Sequence, residues 1–303
     1  MKYLVTGVTG QLGADVAEEL LGRGVVVFGT GRKSSPPQSL FGRINFSYTP
    51  LELTDETGLK KCFEKAAPDV VIHCASWTAV DDAEKEENRE EVRKVNVEST
   101  RVLAKLCGDK QVKLLYISTD YVFGGDADEP YSADCTDFAP LNVYGATKLE
   151  GESVVREFLT KYFVVRVAWT FGRYGNNFVE KMLRAAAGRT SVSVVDDQFG
   201  TPTYTRDAAK LIADIAASEK YGTYNLTASG EFVSRAGFAE EIFRAEGMSV
   251  KVEPVKTSDF KSLAKRPLSS RLDTSKLVKN GFEELPDWKD GLKRYLGERK
   301  NYI

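Results

Sequence analysis

The sequence predicts an α/β fold, a doubly wound parallel sheet with a smaller C-terminal lobe, and three observations support this prediction. Short apolar runs alternate with segments of helical periodicity over much of the 303-residue chain. The apolar runs are continuous, which is typical of strands covered on both faces of a parallel sheet. A glycine-rich turn joins the first strand to the first helix. Together these patterns indicate a Rossmann-like sheet, in which ligands bind at the carboxyl ends of the strands.

The strands and helices can be assigned in order along the chain. Strands are predicted at KYLVTG, at VVVFGT, and over 69–75 (DVVIHCA), 113–119 (KLLYIST), 162–169 (YFVVRVAW) and 222–227 (GTYNLT). Helices are predicted over about 13–21, 55–67 and 81–107, over the segment LNVYGATKLEG, and over about 234–245 and 287–299. The prolines of KSSPPQS (33–39) indicate a loop, because proline cannot continue a strand or a helix.

The alternation loosens after residue 168, and this change suggests how the chain is divided. We expect residues 1–168 to form a Rossmann-like domain, to which part of 199–230 returns. Residues 169–198 and 231–303 then form the smaller lobe, which we expect to bind the substrate.

Composition excludes several classes of partner. The chain has 28% charged residues, 42% apolar residues and a formal net charge of −2. This balance gives no electrostatic reason to bind nucleic acid or an anionic membrane. No apolar run approaches the roughly 18 residues of a transmembrane helix, and the N-terminal MKYLVTG lacks the pattern of a signal peptide. We therefore expect neither a nucleic-acid partner nor a membrane partner.

Cysteine and histidine usage bears on the compartment and on metal sites. The four cysteines include no Cys-x-x-Cys pair, and we expect free thiols in a reducing cytoplasm. The single histidine, His73, falls in a strand and is expected to be structural, so a His-rich zinc site is excluded. The acidic segment 81–91 is interpreted as a solvated helix face or a homodimer face, and no metal site is predicted.

The glycine-rich turn has the composition of a cofactor-binding loop. The stretch TGVTGQLG places Gly7, Gly10 and Gly13 between the first strand and the first helix, with the spacing G-x-x-G-x-x-G. Glycines let the backbone approach a pyrophosphate, and the helix N-terminus supplies N–H groups and positive potential. An ordinary tight turn is the alternative, but the position within a βαβ pattern favours a dinucleotide cofactor.

The end of the second strand bears on which dinucleotide is bound. Many NAD-specific proteins place an acidic residue there to bind the ribose diol. This chain instead offers Arg32 and Lys33, whose charges suit a 2′-phosphate. We therefore predict NADPH as the cofactor, with NADH as the alternative; a solvated basic loop is the other interpretation of the pair.

Three further residues complete a catalytic pattern. Tyr144 and Lys148 share one helix face, because residues four apart are neighbours on a helix. Thr119 ends the 113–119 strand, 25 residues before Tyr144. The ordered set of glycine turn, strand-end hydroxyl and Tyr-x-x-x-Lys resembles the extended short-chain dehydrogenase/reductases. That resemblance implies that Tyr144 transfers the proton, Lys148 holds the nicotinamide ribose and lowers the tyrosine pKa, and Thr119 holds the carbonyl.

Longer motifs narrow the resemblance to one family. The stretches ASWTAVDDAE, STDYVFGG, PLNVYGATKLEGE, RYGNNFVEKML and DDQFGTPTY, with Arg266-Pro267, are similar to those of dTDP-4-dehydrorhamnose reductases. The segments GNNF (175–178) and DQFGTPT (197–203) are specific to this family rather than to the fold. The resemblance implies NAD(P)H-dependent reduction of the 4-keto group of dTDP-6-deoxy-L-lyxo-4-hexulose, which gives dTDP-L-rhamnose.

The resemblance also implies which further residues contact the ligands. On the cofactor side these are Gly10, Gln11 and Leu12 at the pyrophosphate, Ala75, Ser76, Trp77 and Thr78 along the middle of the cofactor, and Glu52 and Leu53 near the adenine. Glu52 stands where the family usually carries aspartate. On the substrate side they are Thr119, Asp120, Tyr144, Trp169, Asn176, Asn177, Phe178, Gln198 and Arg266.

Three other functions deserve comparison. A non-catalytic regulatory subunit resembling the methionine adenosyltransferase β subunit is disfavoured, because GNNF, DQFGTPT and Thr119 are all present. Another alternative is a nucleotide-sugar 4,6-dehydratase or epimerase of the same superfamily; the dehydratase is disfavoured because Tyr121, rather than a glutamate, follows Asp120. A related deoxysugar 4-ketoreductase stays open, since the stereochemistry of the product depends on small differences in placement.

Overall fold

The computed structural model describes residues 1–300 and contains fifteen strands within that range. In chain order they are β1 (Lys2–Thr6), β2 (Val26–Gly31), β3 (Phe46–Pro50), β4 (Val70–His73), β5 (Lys113–Thr119), β6 (Tyr162–Val167), β7 (Thr170–Phe171), β8 (Ser191–Val195), β9 (Phe199–Gly200), β10 (Thr203–Tyr204), β11 (Gly222–Leu226), β12 (Ala228–Ser229), β13 (Val233–Ser234), β14 (Lys251–Val255) and β15 (Leu285–Asp287).

The α-helices lie mostly between these strands. They are α1 (Gln11–Gly22), α2 (Glu56–Ala66), α3 (Val80–Ala83), α4 (Glu86–Arg93), α5 (Ser99–Lys110), α6 (Val143–Phe158), α7 (Phe178–Ala186), α8 (Thr205–Ala217), α9 (Arg235–Ala245), α10 (Ser275–Lys279) and α11 (Trp288–Arg299). No helix among residues 1–300 is both long enough and apolar enough to cross a membrane.

Seven strands form one parallel sheet in the order β11-β6-β5-β4-β1-β2-β3. The order reverses direction between β1 and β4, as the doubly wound prediction requires. The return of β11 to the edge beside β6 brings the chain back to the sheet after it has left at Val167. The predicted α/β class is therefore confirmed.

Both faces of the sheet are buried, because neighbouring residues of one strand pack on opposite sides. Tyr3 and Val5 of β1 pack into the cluster formed with α1 and α8, whereas Leu4 packs into the cluster formed with α2, α5 and α6. Alternate side chains of a strand point to opposite faces, so a sheet with helices on both sides needs apolar residues at every position. This explains why the apolar runs are continuous.

A separate apolar cluster lies beyond the sheet. It joins Phe171, Phe238, Trp288 and Leu292, which come from β7, α9 and α11. Its strands pair only in twos, and β8 pairs with β14 across a long stretch of chain. The division into two domains at the residue boundaries given above stays a prediction.

The structure corrects the prediction of one continuous helix over 81–107. That stretch contains α3, α4, a π-helical turn at Lys94–Glu98 and then α5. The wide turn contains Asn96, whose buried side chain is hydrogen bonded to the loop after β4. The strand β3 is also missing from the predicted elements; it ends in Pro50 and lies at the edge of the sheet, where proline is tolerated.

A buried ion pair fastens α6 to the sheet. Glu152 of α6 accepts hydrogen bonds from Arg166 of β6 at 2.9 and 2.8 Å and from the Ser118 hydroxyl of β5 at 2.6 Å. Glu152 and Arg166 are 0% and 1% exposed. Burial opposes ionisation of Glu152, but Arg166 and Ser118 together lower its pKa. The helix carrying Tyr144 is therefore fixed against two neighbouring strands.

We predict that Arg166→Met lowers the free energy of unfolding by about 3–5 kcal/mol, because Glu152 would lose its buried two-point partner and keep only Ser118 and the partly exposed Arg156. Urea unfolding followed by circular dichroism measures this loss. Arg101→Met is the matched control: Arg101 bonds Glu157 at the surface, 3.2 Å away, and should contribute less than about 1 kcal/mol. Equal losses in the two variants would contradict the anchoring role of the buried pair.

Candidate active site

The glycine turn forms a tight cradle at the start of α1. Gly7 has a φ of +74°, and the Gly10 N–H donates to the Gly7 carbonyl at 2.9 Å. A Cβ at Gly13 would lie 2.3 Å from that carbonyl oxygen, so a side chain there would displace backbone. Within the described chain, the N-terminus of α1 has neither a side-chain cap nor an acidic residue in its first turn. Its N–H groups therefore suit an anionic ligand.

The predicted cofactor residues beside this cradle differ in their exposure. Gln11 and Leu12 are partly buried, and Gln11 lies against the backbone of Gly172. Arg32 and Lys33 follow β2 and are exposed, as the binding of a 2′-phosphate requires. The two residues predicted near the adenine differ in burial: Glu52 is exposed, whereas the side chain of Leu53 is buried in the core.

The loop after β4 is held by Asn96. The Asn96 amide oxygen accepts from the Trp77 N–H at 2.8 Å and from the Ser76 hydroxyl at 2.9 Å. Its amide nitrogen donates to the Thr147 hydroxyl at 3.0 Å, one residue before Lys148. Ala75 and Thr78 lie in the same loop, so one side chain joins the predicted cofactor loop to the predicted catalytic helix.

The predicted catalytic hydroxyls meet at the end of β5. Thr119 lies close enough to Tyr144 to affect its pKa, and the Thr119 hydroxyl donates to Asp120 Oδ1 at 2.8 Å. The Tyr121 ring packs edge-on against Tyr144 with 6.0 Å between the centroids. Burial raises the pKa of Tyr144, and the bond to Thr119 partly offsets this rise. The phenol is therefore protonated at neutral pH and able to donate a proton.

Lys148 lies in the interior, one turn after Tyr144 on α6. Its side chain is 2% exposed, and its Nζ lies 4.0 Å from the centroid of the Tyr116 ring. Burial lowers the pKa of Lys148 to about 7, against the opposing effects of Glu152 and Cys74. The ammonium is therefore poorly compensated by the protein, and hydroxyl groups of a ligand would stabilise it.

His73 behaves as a structural residue. Its two ring nitrogens lie 2.7 Å from the Thr6 hydroxyl and 3.1 Å from the Thr100 hydroxyl. Burial, followed by the charge of Lys148, lowers the pKa of His73 to about 3. The ring is neutral at physiological pH and both nitrogens are occupied, as the expectation from the sequence requires.

Trp169 and Asp120 are two of the predicted substrate residues. Trp169 adopts a φ of +48°, and a Cβ on Gly200 would lie 2.6 Å from its indole ring, so the ring and this backbone are in close contact. Asp120 is 4% exposed, and its Oδ2 has no hydrogen-bond partner within residues 1–300. A buried carboxylate oxygen without a partner is unfavourable, so this atom suits a ligand hydroxyl.

Four of the other predicted substrate residues already contact the protein. Asn177 caps α7 by accepting from the Glu180 N–H at 3.1 Å, and Asn176 bonds Arg184. The Gln198 amide donates to the Thr257 hydroxyl at 3.1 Å. Phe178 stacks on Phe238 with 5.3 Å between the centroids. Their roles as ligand contacts stay predictions.

Arg266 forms a two-point bond with Asp81. Its guanidinium nitrogens lie 3.2 and 2.5 Å from the two carboxylate oxygens. Asp81 is therefore paired with a predicted substrate residue, although the sequence analysis interpreted the acidic segment 81–91 as a solvated helix face or a homodimer face. Tyr121 lies near enough to Arg266 to raise its pKa.

Sequence reasoning missed Asn96, Tyr121 and Arg235. Asn96 gave a weak signal, as a polar residue within an otherwise helical pattern. Tyr121 was noted only because it is not a glutamate. Arg235 begins α9, 66 residues after Trp169 in the chain, and only the fold brings its guanidinium onto that ring.

Comparison with known proteins gives a consistent result. A model of the RmlD substrate binding domain matches residues 1–301. The chain is 37% identical over 298 residues to a dTDP-4-dehydrorhamnose reductase of Streptomyces griseus, covering 96% of this chain and 91% of the relative. A crystal structure of dTDP-4-dehydrorhamnose reductase from Bacillus anthracis in complex with NADP superposes with a TM-score of 0.85 at 36% identity, covering 98% and 100% of the two chains. A dTDP-4-keto-6-deoxy-D-glucose reductase of Streptomyces niveus is 32% identical over 293 residues, covering 96% of this chain and 95% of the relative.

The geometry of the cradle predicts that Gly13→Ala weakens NADPH binding at least roughly tenfold, because the added Cβ would push against the Gly7 carbonyl and deform the turn. Quenching of tryptophan fluorescence or enhancement of nicotinamide fluorescence gives the dissociation constant. Gly22→Ala is the matched control in the same helix, since nothing lies within 4 Å of its Cβ position. An affinity unchanged in Gly13→Ala would show that the turn does not approach the cofactor.

Proposed function

We infer the function from one premise: the chain belongs to the RmlD family, to which the dTDP-4-dehydrorhamnose reductases belong. The protein is an NAD(P)H-dependent oxidoreductase that reduces the 4-keto group of dTDP-6-deoxy-L-lyxo-4-hexulose to give dTDP-L-rhamnose. The observation that carries this proposal is the meeting of Thr119, Tyr144 and Lys148 beside the glycine cradle.

The residues present fit a nicotinamide dinucleotide phosphate. The cradle of Gly7 and Gly13 leaves no room for side chains, and the α1 N-terminus offers N–H groups to a pyrophosphate. Arg32 and Lys33 are exposed at the end of β2, where they would hold a 2′-phosphate. When bound, NADPH supplies the hydride for the reduction, and NADH is the alternative donor.

In the proposed reaction Tyr144 supplies the proton. The Thr119 hydroxyl, rotated away from Asp120 Oδ1, and the Tyr144 hydroxyl bind the carbonyl oxygen that is to be reduced, and they polarise the carbonyl group. As that oxygen gains negative charge, Tyr144 donates its proton to it and becomes a phenolate. Burial raises the pKa of Tyr144, so the proton is retained until the oxygen becomes more basic than the phenolate.

Lys148 serves this step from the next turn of α6. Its ammonium stabilises the developing phenolate through space, and its N–H groups would hold ribose hydroxyls. Burial lowers the pKa of Lys148 to about 7, so a bound ligand that hydrogen bonds to the ammonium would restore its charge. Asp120 Oδ2, which has no partner within residues 1–300, accepts from a sugar hydroxyl.

A second candidate function is reduction of a related dTDP-linked 4-keto-6-deoxy sugar. The observation that favours it is the 32% identity to the dTDP-4-keto-6-deoxy-D-glucose reductase of Streptomyces niveus. Incubation of the protein with NADPH and enzymatically prepared dTDP-4-keto-6-deoxy sugars, with NMR identification of the product, distinguishes the two. We further propose that the protein works in the cytoplasm, where the thiols of its four cysteines stay free. A homodimer, and the absence of a nucleic-acid partner, stay predictions.

We predict that Tyr144→Phe lowers kcat by roughly 10²–10⁴-fold, because general acid catalysis contributes about this much. NADPH affinity should stay close to that of the unaltered protein. Stopped-flow measurement of NADPH consumption and a cofactor titration test both points. Tyr162→Phe, at the opposite end of the sheet, is the control and should turn over normally. Near-normal turnover of Tyr144→Phe would rule out its role as the acid.

We also predict that Arg32→Ala/Lys33→Ala raises the KM for NADPH at least roughly tenfold more than the KM for NADH, because only NADPH carries the 2′-phosphate. Steady-state kinetics with each cofactor at saturating sugar measures the ratio. Lys60→Ala/Lys61→Ala on α2 removes the same number of charges away from the β2 end. If both cofactors respond equally, Arg32 and Lys33 form only a solvated loop.

A further inference from the structure

Arg235 lies against two predicted substrate residues, Trp169 and Phe178, but has no role in the reaction proposed above. Its guanidinium carbon lies 3.4 Å from the centroid of the Trp169 ring and 5.2 Å from that of Phe178. At 3.4 Å the planar guanidinium covers the face of the indole, and its N–H groups point outward in their own plane. Arg235 is only partly exposed, so its guanidinium is partly withdrawn from solvent.

The charge of Arg235 is poorly compensated within the described chain. Arg266 is paired with Asp81, but Arg235 forms no salt bridge with any of residues 1–300. Burial lowers the pKa of Arg235, while Tyr121 and Asp120 raise it, and the charge of Arg266 lowers it further. Tyr121 raises the pKa of both guanidinium groups and therefore lies near both. Two cations therefore border one tyrosine hydroxyl, and only one of them has a carboxylate partner.

Such a pair of cations is favourable when an anion binds between them. A diphosphate matches guanidinium groups in charge and in the spacing of its oxygens, which allows two-point hydrogen bonds. A neutral sugar or base would leave the repulsion between the two cations in place. The Asp120 carboxylate, next in the chain to Tyr121, then bonds a sugar hydroxyl on the side of Thr119.

We propose that Arg235, stacked on Trp169, is the second guanidinium of a diphosphate subsite that it forms with Arg266. The inference rests on the proposed function, which makes the substrate a nucleoside-diphosphate sugar. Trp169 positions the guanidinium, Tyr121 lies near both cations, and Arg235 supplies the cation that forms no salt bridge with residues 1–300. Arg235 is thus a binding residue for the substrate rather than a donor in the chemical step.

The test is the affinity of the full-length protein for dTDP, measured by isothermal titration calorimetry, with thymidine as the ligand that lacks the phosphates. Arg235→Gln should raise the dissociation constant for dTDP roughly 10- to 100-fold, as expected for the loss of hydrogen bonds to a charged group. Thymidine affinity, measured by NMR titration, should change less than about twofold, since no phosphate is present. Arg235→Lys keeps the positive charge but loses the planar group that stacks on Trp169. Its dTDP affinity should lie between that of the unaltered protein and that of Arg235→Gln.

Arg244→Gln is the matched control. Arg244 lies on the same helix, α9, but is 74% exposed and bonded to Glu241 at the surface. It should bind dTDP normally, and unchanged NADPH affinity in Arg235→Gln would show that this variant is folded. With NADPH and the keto sugar, Arg235→Gln should raise KM and leave kcat within a few-fold.

Two outcomes would overturn the inference. In one, Arg235→Gln binds dTDP as tightly as the unaltered protein; in the other, thymidine affinity falls as far as dTDP affinity, which would indicate a general collapse of the cleft. Failure of the proposed function has a different signature: the unaltered protein would then neither bind dTDP nor consume NADPH with any dTDP-linked keto sugar.

Discussion

The ion pair of Glu152 and Arg166 is the constraint on which the site depends. Glu152 lies one turn after Lys148 on α6, and it bonds both Arg166 of β6 and Ser118 of β5. Ser118 immediately precedes Thr119, so the same carboxylate fixes the helix of Tyr144 and the strand end that faces it. Charges buried this deeply persist only when they are well paired, and the pairing therefore holds the distance between phenol and hydroxyl. The catalytic groups themselves remain free to bind a ligand.

Much of this arrangement could be predicted because it is local in the sequence or follows from strand polarity. The spacing of Tyr144 and Lys148 places both on one side of α6, and Thr119 ends β5 where the sequence indicates. Parallel strands bring their carboxyl ends to one edge, so the glycine turn and Thr119 had to lie at the same side of the sheet. Strand β3 was difficult to predict, because its short segment of mixed polar and apolar residues has neither the continuous apolar run of a buried strand nor the periodicity of a helix.

The sequence could not show contacts between distant segments. Asn96 holds the loop of Trp77 only because a π-helical turn interrupts the predicted helix, and helical periodicity contains no sign of such a turn. The pairing of Arg266 with Asp81 joins residues 185 positions apart. Their charges are visible in the sequence, but nothing local in the sequence pairs them. Long-range polar contacts of this kind require the folded chain.

The chemistry next to Thr119 favours reduction over elimination of water. An elimination needs a base close to the sugar ring in addition to the residue that handles the carbonyl. The residue after Asp120 is Tyr121, whose ring packs edge-on against Tyr144 with 6.0 Å between the centroids. Burial raises the pKa of Tyr121, so it stays a neutral phenol at physiological pH and is a poor base. The site therefore holds one proton donor facing the carbonyl, as reduction requires, and lacks a carboxylate base at position 121.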